Sequence, residues 1–262
     1  TLTFNATGVN SLFSSIITAA GDNTSFQINF IADTVNLAFI NPNFNDDAFT
    51  CKPIQIQTQD SNSNAMTILT NLTFTISSNK LGSFYGNRAC SGTSLSRVVI
   101  PQGGSTSPQV YYQPKVAGKH LLKVSSDTIS ATQENLANIV VSPGKNTLAS
   151  PKQPVPFTAL GAQGDIHCTF VLNSSGSTSP IPAIGKTCSY IAGNLGLVVD
   201  RLILTDSDSP PNTVAIQISI GPSISISPVV MTVNSGDQIQ FTSTDGSGVG
   251  YTYSTTPNQP NL

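Results

Sequence analysis

The chain has no tryptophan, two methionines and two histidines in 262 residues, and only 9% of its residues are charged. Globular domains usually carry about a quarter, so this surface must be solvated by Ser, Thr, Asn and Gln instead. Eleven Lys+Arg against thirteen Asp+Glu leave no basic field for phosphates, which argues against a nucleic-acid partner. No run approaches the roughly 18 apolar residues that mark a membrane-spanning helix. The stretch 11–20 is too short and too hydroxyl-rich, so no membrane insertion is expected of this segment.

Catalytic signatures are missing as well. There is no Gly-x-Ser-x-Gly elbow, no His-Glu-x-x-His, no phosphate-binding Gly-x-x-x-x-Gly-Lys-Ser/Thr and no Gly-x-Gly-x-x-Gly. His120 and His167 fall in different expected domains and read as surface or loop packing. Without tryptophan, sugar stacking would fall to Tyr85, Tyr111, Tyr112, Tyr251 or Tyr253, whose alternating positions fit core and cross-strand roles better. No catalytic residue and no cofactor is expected, and the chain is read as a non-enzyme.

What is present is a series of short alternating strands separated by turns. Residues 51–60 put Ile54 and Ile56 on one face and Gln55 and Gln57 on the other. Asp60 to Asn64 is a turn rich in side chains that bond their own backbone. Leu72–Ile76 resumes the alternation, followed by Phe84 to Cys90, Ser96–Ile100, a Pro-Gln-Gly-Gly turn at 101–104, Gln109–Gln113 and Ala117–Val124. Such spacing is the pattern of a β-sandwich. Four cysteines, an even number without Cys-x-x-Cys or Cys/His clusters, point to disulfides and an oxidising compartment, not to zinc.

The order Cys51, Gln59-Asp60, Leu72-Thr-Phe-Thr-Ile76, Gly82-Ser-Phe-Tyr85, Cys90, Val99-Ile-Pro101, Val110-Tyr-Tyr112, Ala117-Gly118 resembles the bacterial immunoglobulin-like repeats of large secreted and surface proteins, adhesins among them. The resemblance covers roughly residues 48–142. It implies a Cys51–Cys90 bridge and a spacer or binding role, and it implies no catalytic residue.

Residues 1–47 form a β-rich lead-in, with alternation over Leu2–Ala6, Phe26–Phe30 and Thr34–Phe39 and either a short helix or a strand within 10–20. They make a small domain of their own or extra strands of the first sandwich. Leu136–Val141 reads as the last strand of that sandwich, with a border at 142–145. A second sandwich over 143–221 resembles another type of the same repeats, with Phe157-Thr-Ala159, Tyr190-Ile-Ala-Gly193 and Asp200-Arg-Leu-Ile-Leu-Thr-Asp206 as its recurring elements. Cys168 and Cys188 stand about twenty residues apart there, and closing such a loop is worth on the order of 3 kcal/mol, so a second bridge is expected. Ser142-Pro143, Val155-Pro-Phe157-Thr158 and Gly164 recur as Ser227-Pro228, Ile239-Gln-Phe241-Thr242 and Gly248, about 84 residues later. Residues 222–262 are therefore expected to be the first half of a further repeat.

Calcium has two candidate positions. Asp60, Asn62 and Asn64 copy the opening ligands of an EF-hand, but Ala65 and Asn71 stand where that loop needs Gly and Glu. Asp206 and Asp208, with Asp200 nearby, form the better oxygen cluster. The sequons at Asn5, Asn23, Asn71 and Asn173 are no more frequent than this Asn- and hydroxyl-rich composition generates. The start at Thr1 fits a mature secreted protein.

The resulting expectation is an all-β chain of tandem immunoglobulin-like sandwiches, extracellular or on a bacterial surface, acting as a stalk or adhesin. Its partners would be other protein chains or ligands on host or prey surfaces, met by loops 60–67, 101–108 and 173–182. The alternatives are the repeating subunit of a filament, a homo-polymer built by strand exchange through Leu2–Ala6 or 222–262, and an accessory module of a secreted hydrolase.

Overall fold

A computed structural model describes residues 13–18, 25–30, 35–127, 129–179, 181–222, 225–229 and 231–244. The expected strand Leu2–Ala6, Tyr251, Tyr253, Asn5 and Asn23 lie outside these residues. The described chain is all-β. It divides into two units, 1–138 and 139–262.

In the first unit, β1 (Phe13–Thr18) and β2 (Ser25–Phe30) pair antiparallel, so the described part of 10–20 is a strand. The sandwich proper begins with β3 (Asn36–Phe39) and β4 (Asn45–Asp47). These two lie N-terminal to the border expected at residue 48, yet they pair with β6 and β12 of the first sandwich. The rest of that sandwich is β5 (Lys52–Ile54), β6 (Ile56–Gln59), β7 (Leu72–Ser78), β8 (Gly82–Tyr85), β9 (Arg97–Ile100), β10 (Val110–Pro114), β11 (Gly118–Ser125) and β12 (Ser130–Asn138). The alternating run 51–60 is two strands. It breaks at Gln55, so β5 pairs with β10 while β6 pairs with β3. The order β5-β10-β8 faces the five-stranded β4-β12-β11-β7-β9. Between them Ile54, Ile56, Phe74, Ile100, Tyr112 and Leu122 are buried, each large apolar side chain contributing about 1.5–3 kcal/mol of transfer free energy.

The second unit opens earlier than the expected border at 142–145. The run 136–141 is split at Asn138, where β12 ends, and β13 (Val140–Ser142) pairs with β15 of the second unit. Inside-outside alternation continues unbroken across the split, with Ala137, Ile139 and Val141 all buried. Periodicity alone therefore reads one strand. The unit continues with β14 (Asn146–Ala149), β15 (Pro154–Leu160), β16 (Ile166–Asn173), β17 (Ala183–Ile184), β18 (Thr187–Ile191), β19 (Val198–Asp206) and β20 (Thr213–Ile220). Its sheets are β13-β15-β18-β17 and β14-β20-β19-β16. Phe157, Tyr190, Leu202, Leu204, Ile216 and Ile218 fill its core.

The two units share one topology. In each, an early strand lies antiparallel in one sheet (β3 or β13), and the next crosses over to run parallel to the last strand of the other (β4 on β12, β14 on β20). Strands β7, β8, β10, β11 and β12 thus correspond to β16, β17, β18, β19 and β20. These are immunoglobulin-like sandwiches in tandem. Beyond them β21 (Ser225–Ser227) pairs with β22 (Thr242–Thr244), Ser227 opposite Thr242 as Ser142 stands opposite Thr158.

Candidate functional site

The shared topology brings one arrangement of side chains together twice. In the first unit Tyr112 of β10 points into the core, fully buried, and β11 places His120 beside it, also fully buried. His120 Nε2 lies 2.9 Å from the carbonyl of Val116 and donates to it, which leaves Nδ1 without a proton. Tyr112 Oη lies 2.8 Å from that Nδ1 and donates to it, and Ser78 Oγ at the end of β7 completes the group 2.9 Å from the same phenol oxygen. Burial pushes the Tyr112 pKa up to about 12. Burial lowers that of His120, with the Lys80 ammonium acting in the same direction against the Val116 bond. His120 is thus a neutral core residue, which corrects its reading as surface or loop packing. It lies at the same strand parity as Leu122 and Val124, and that parity is the signal that carries it inward.

In the second unit β18 supplies Tyr190 and β19 supplies Asp200, both buried. The Tyr190 hydroxyl donates to Asp200 Oδ2 at 2.6 Å. Ser175, just beyond β16, donates its hydroxyl to Oδ2 at 2.6 Å and its backbone N–H to Oδ1 at 2.9 Å. The Ser175 hydroxyl oxygen in turn accepts the backbone N–H of Gly193 at 2.8 Å. Tyr190 is pushed far above the usual phenol range by burial and by the carboxylate it touches. Each sandwich thus has a buried tyrosine, a buried polar residue near the start of the following strand, and a serine at or just beyond the end of a strand of the facing sheet, β7 in one and β16 in the other.

Glycine is required where these groups crowd the backbone. A Cβ at Gly82 would overlap the ring and hydroxyl of Tyr112, and one at Gly193 would overlap the backbone of Ser175 and Gly176.

Chemically these sets are self-contained. His120 and Ser78 meet, but inside the core. The surface cavity lined by Thr73 to Asp127 and the one lined by Leu148 to Gly221 include no member of either trio. A phenol held neutral against an imidazole that already accepts its proton offers no nucleophile to solvent. His167 lies on the exposed side of β16 in the second unit.

The oxygen cluster Asp200, Asp206, Asp208 is not assembled. Asp200 and Asp206 are six residues apart on one strand, about 20 Å at ~3.3 Å per residue. Asp206 accepts the backbone N–H groups of Gln163 and Asn212 and the Asn212 side-chain amide. Asp208 accepts the side-chain amides of Gln163 and Asn212. Both carboxylates therefore fasten the turn after β19. Among the described residues no group of three His, Cys, Asp or Glu is placed to hold a metal. The Asp60 carboxylate accepts from the backbone of Asn62 and from both the backbone and side chain of Asn64, which holds it below its usual range.

Cys51, ahead of β5, is bonded to Cys90 in the turn after β8, with Cα atoms 5.8 Å apart. Cys168 on β16 is bonded to Cys188 on β18, across the two sheets, with Cα atoms 6.3 Å apart. Tyr85 is buried on β8 and Tyr111 half-buried on β10. Asn71 accepts the backbone N–H of Gln102, and Asn173 spans its own turn to Ser177.

No protein-family model matches the chain, and no curated protein matches it. Among solved structures it is similar to the Yersinia pseudotuberculosis adhesin InvE, at 12% identity and a TM-score of 0.33, over 71% of this chain and 58% of that one. It is also similar to domains 5–6 of the S-layer protein SbsC, at 15% identity and a TM-score of 0.27, over 72% of this chain and 99% of that one. Tandem Ig repeats of Dlar match at 11% identity and a TM-score of 0.24, over 72% and 100%. The chain spans 58% of the length of the adhesin structure it resembles, and the likeness to all three is one of fold.

Proposed function

We propose that the chain is a non-enzymatic structural or adhesive segment of a secreted or cell-surface protein, a stalk or adhesin of tandem sandwiches. The observation that carries this reading is the doubled tyrosine trio: in each unit the buried tyrosine, its partner on the next strand and the serine are spent on one another, fixing strand to loop. Two cystines within β-rich units support an oxidising compartment. Each unit is a rigid spacer whose loops and outer sheet faces are free to vary. A spacer of this kind elutes as a monomer in size-exclusion chromatography with light scattering, and its parent protein is removed from intact source cells by external protease. Retention of the protein inside protease-treated cells contradicts the reading.

The second reading is a filament subunit. In the repeat alignment Ile226, Ile239 and Phe241 correspond to Val141, Val155 and Phe157, which are buried in the second unit, whereas the three are 46%, 37% and 50% exposed. A face of that kind takes further strands, and strands from a second copy would build a polymer. Heat-labile or SDS-resistant multimers of the purified chain are the signature of this reading.

A further inference from the structure

The outer face of the first sandwich carries a groove of about 370 Å³ lined by Thr73, Phe74 and Thr75 of β7, Arg97 of β9, Ser125 at the end of β11, and Ser126 and Asp127 just beyond it. Register explains the row. Arg97 stands opposite Thr75, and Thr75 stands opposite Ser125. Three neighbouring strands therefore set a guanidinium, a threonine hydroxyl and a serine hydroxyl side by side at ~4.8 Å steps. Thr75 Oγ1 is held 3.1 Å from the Ser125 carbonyl and 3.0 Å from the Ser125 hydroxyl, which fixes the middle of the row. Asp127, two residues beyond Ser125, lines the same groove. Among the described residues neither the Arg97 guanidinium nor the Asp127 carboxylate has an ion-pair partner, in contrast to Lys52 with Asp46 and Lys119 with Glu134.

We infer that this groove is a binding site for an acidic saccharide, a sugar ring bearing one carboxylate. The guanidinium fork matches a carboxylate in two parallel hydrogen bonds. The hydroxyls of Thr73, Thr75, Ser125 and Ser126 both donate and accept, as ring hydroxyls do. Asp127 accepts from a sugar hydroxyl and repels a second negative charge, which selects against polyanions such as phosphorylated or sulfated chains. An amino-acid carboxylate would leave the hydroxyl row unanswered. Phe74 also borders the groove, but its side chain is buried in the core and offers no ring face for stacking, so the affinity is on the order of millimolar, and tandem or multiple copies on a surface would raise it by avidity. This assignment deepens the adhesive reading and rests on it.

The test is an NMR titration of the oxidised chain with a glucuronate-terminated disaccharide, its neutral glucose counterpart, and inorganic pyrophosphate. The expected result is saturable shifts confined to the amides around Thr75, Arg97 and Ser125, with the neutral sugar at least about tenfold weaker. Arg97→Ala abolishes the preference for the acidic sugar, Asp127→Ala weakens both sugars, and Arg88→Ala, at an exposed arginine outside the groove, changes nothing. Thr75→Val provides a second, shape-conserving variant with the same expected loss. The inference is overturned by no saturation with the acidic sugar, by equal binding of the neutral one, by tighter pyrophosphate binding, or by an unchanged titration in Arg97→Ala. A silent titration with both sandwiches folded and the chain monomeric would remove the groove and leave the stalk standing. Failure of the stalk reading appears instead as multimers or as an intracellular protein.

Discussion

Tyr190 on β18 donates to the buried carboxylate of Asp200 on β19 at 2.6 Å, and Tyr112 on β10 stands in the corresponding place against His120 on β11. The two sandwiches keep the tyrosine and exchange its partner, a base in one and an acid in the other. In both, the hydroxyl that burial would otherwise leave costly is matched by an acceptor from the next strand and by a serine from the facing sheet. The trio thus acts as a fastener between sheets, and its chemistry sets how each unit responds to substitution and to pH.

Removing one donor from Asp200 leaves a buried carboxylate short of a partner. Tyr190→Phe is expected to destabilise the second unit by about 1–3 kcal/mol, and Asp200→Ala by more, because the Ser175 and Tyr190 groups are then stranded together. Urea titration followed by NMR of each unit checks this. Only the transition of the second unit should move, and a matching shift in the first would refute the assignment.

The first unit carries an acid sensitivity set by His120. His120 has its folded pKa below its unfolded value, so the unfolded state binds the extra proton, and stability falls as pH drops below about 6.5. Tyr112 sets the alkaline limit, since its folded pKa is raised to about 12 and stability falls as pH rises above the ordinary phenol value near 10. Thermal melts of the wild type and His120→Gln between pH 7.5 and 5 should show the slope in the former and a flatter profile in the latter.

Two glycines have no room for a methyl group. Gly193→Ala meets backbone and is expected to cost about 2 kcal/mol or more. Gly82→Ala meets the Tyr112 ring and is expected to displace it from His120 and Ser78 at a cost of about 1–3 kcal/mol. Melting temperatures give the cost, and the His120 side-chain resonances report whether the displacement occurs.

The bridges close loops of 39 and 20 residues. Chain entropy assigns about 4 kcal/mol to the first and about 3 kcal/mol to the second. Paired Cys→Ala replacement in each unit, followed by urea unfolding, should reproduce that order. Denatured intact mass should rise by about four units on reduction and by about two in either paired variant.

Much of the fold is legible in the sequence because apolar residues repeat every second position and turns punctuate them. Strands β7, β10, β19 and β20 announce themselves this way. Three features are not legible. The break at Gln55 and the border at Asn138 interrupt hydrogen bonding without interrupting parity, so Ile54 and Ile56, or Ala137 and Ile139, read as neighbours on one strand. Asp200 reads as an oxygen ligand because its type suggests one. Its parity with Leu202 and Leu204 directs it instead into the core, where only the fold brings Tyr190 and Ser175 to it.

The most direct test of the central claim is to pull the oxidised chain from its two ends in a single-molecule force experiment and repeat the pull after reduction. Two separate unfolding events for the two sandwiches are expected, each lengthening on reduction as its bridge opens, by about 14 nm for the 39-residue loop and about 7 nm for the 20-residue loop. A single cooperative event, or extensions that reduction leaves unchanged, would contradict a spacer built of separately clamped sandwiches.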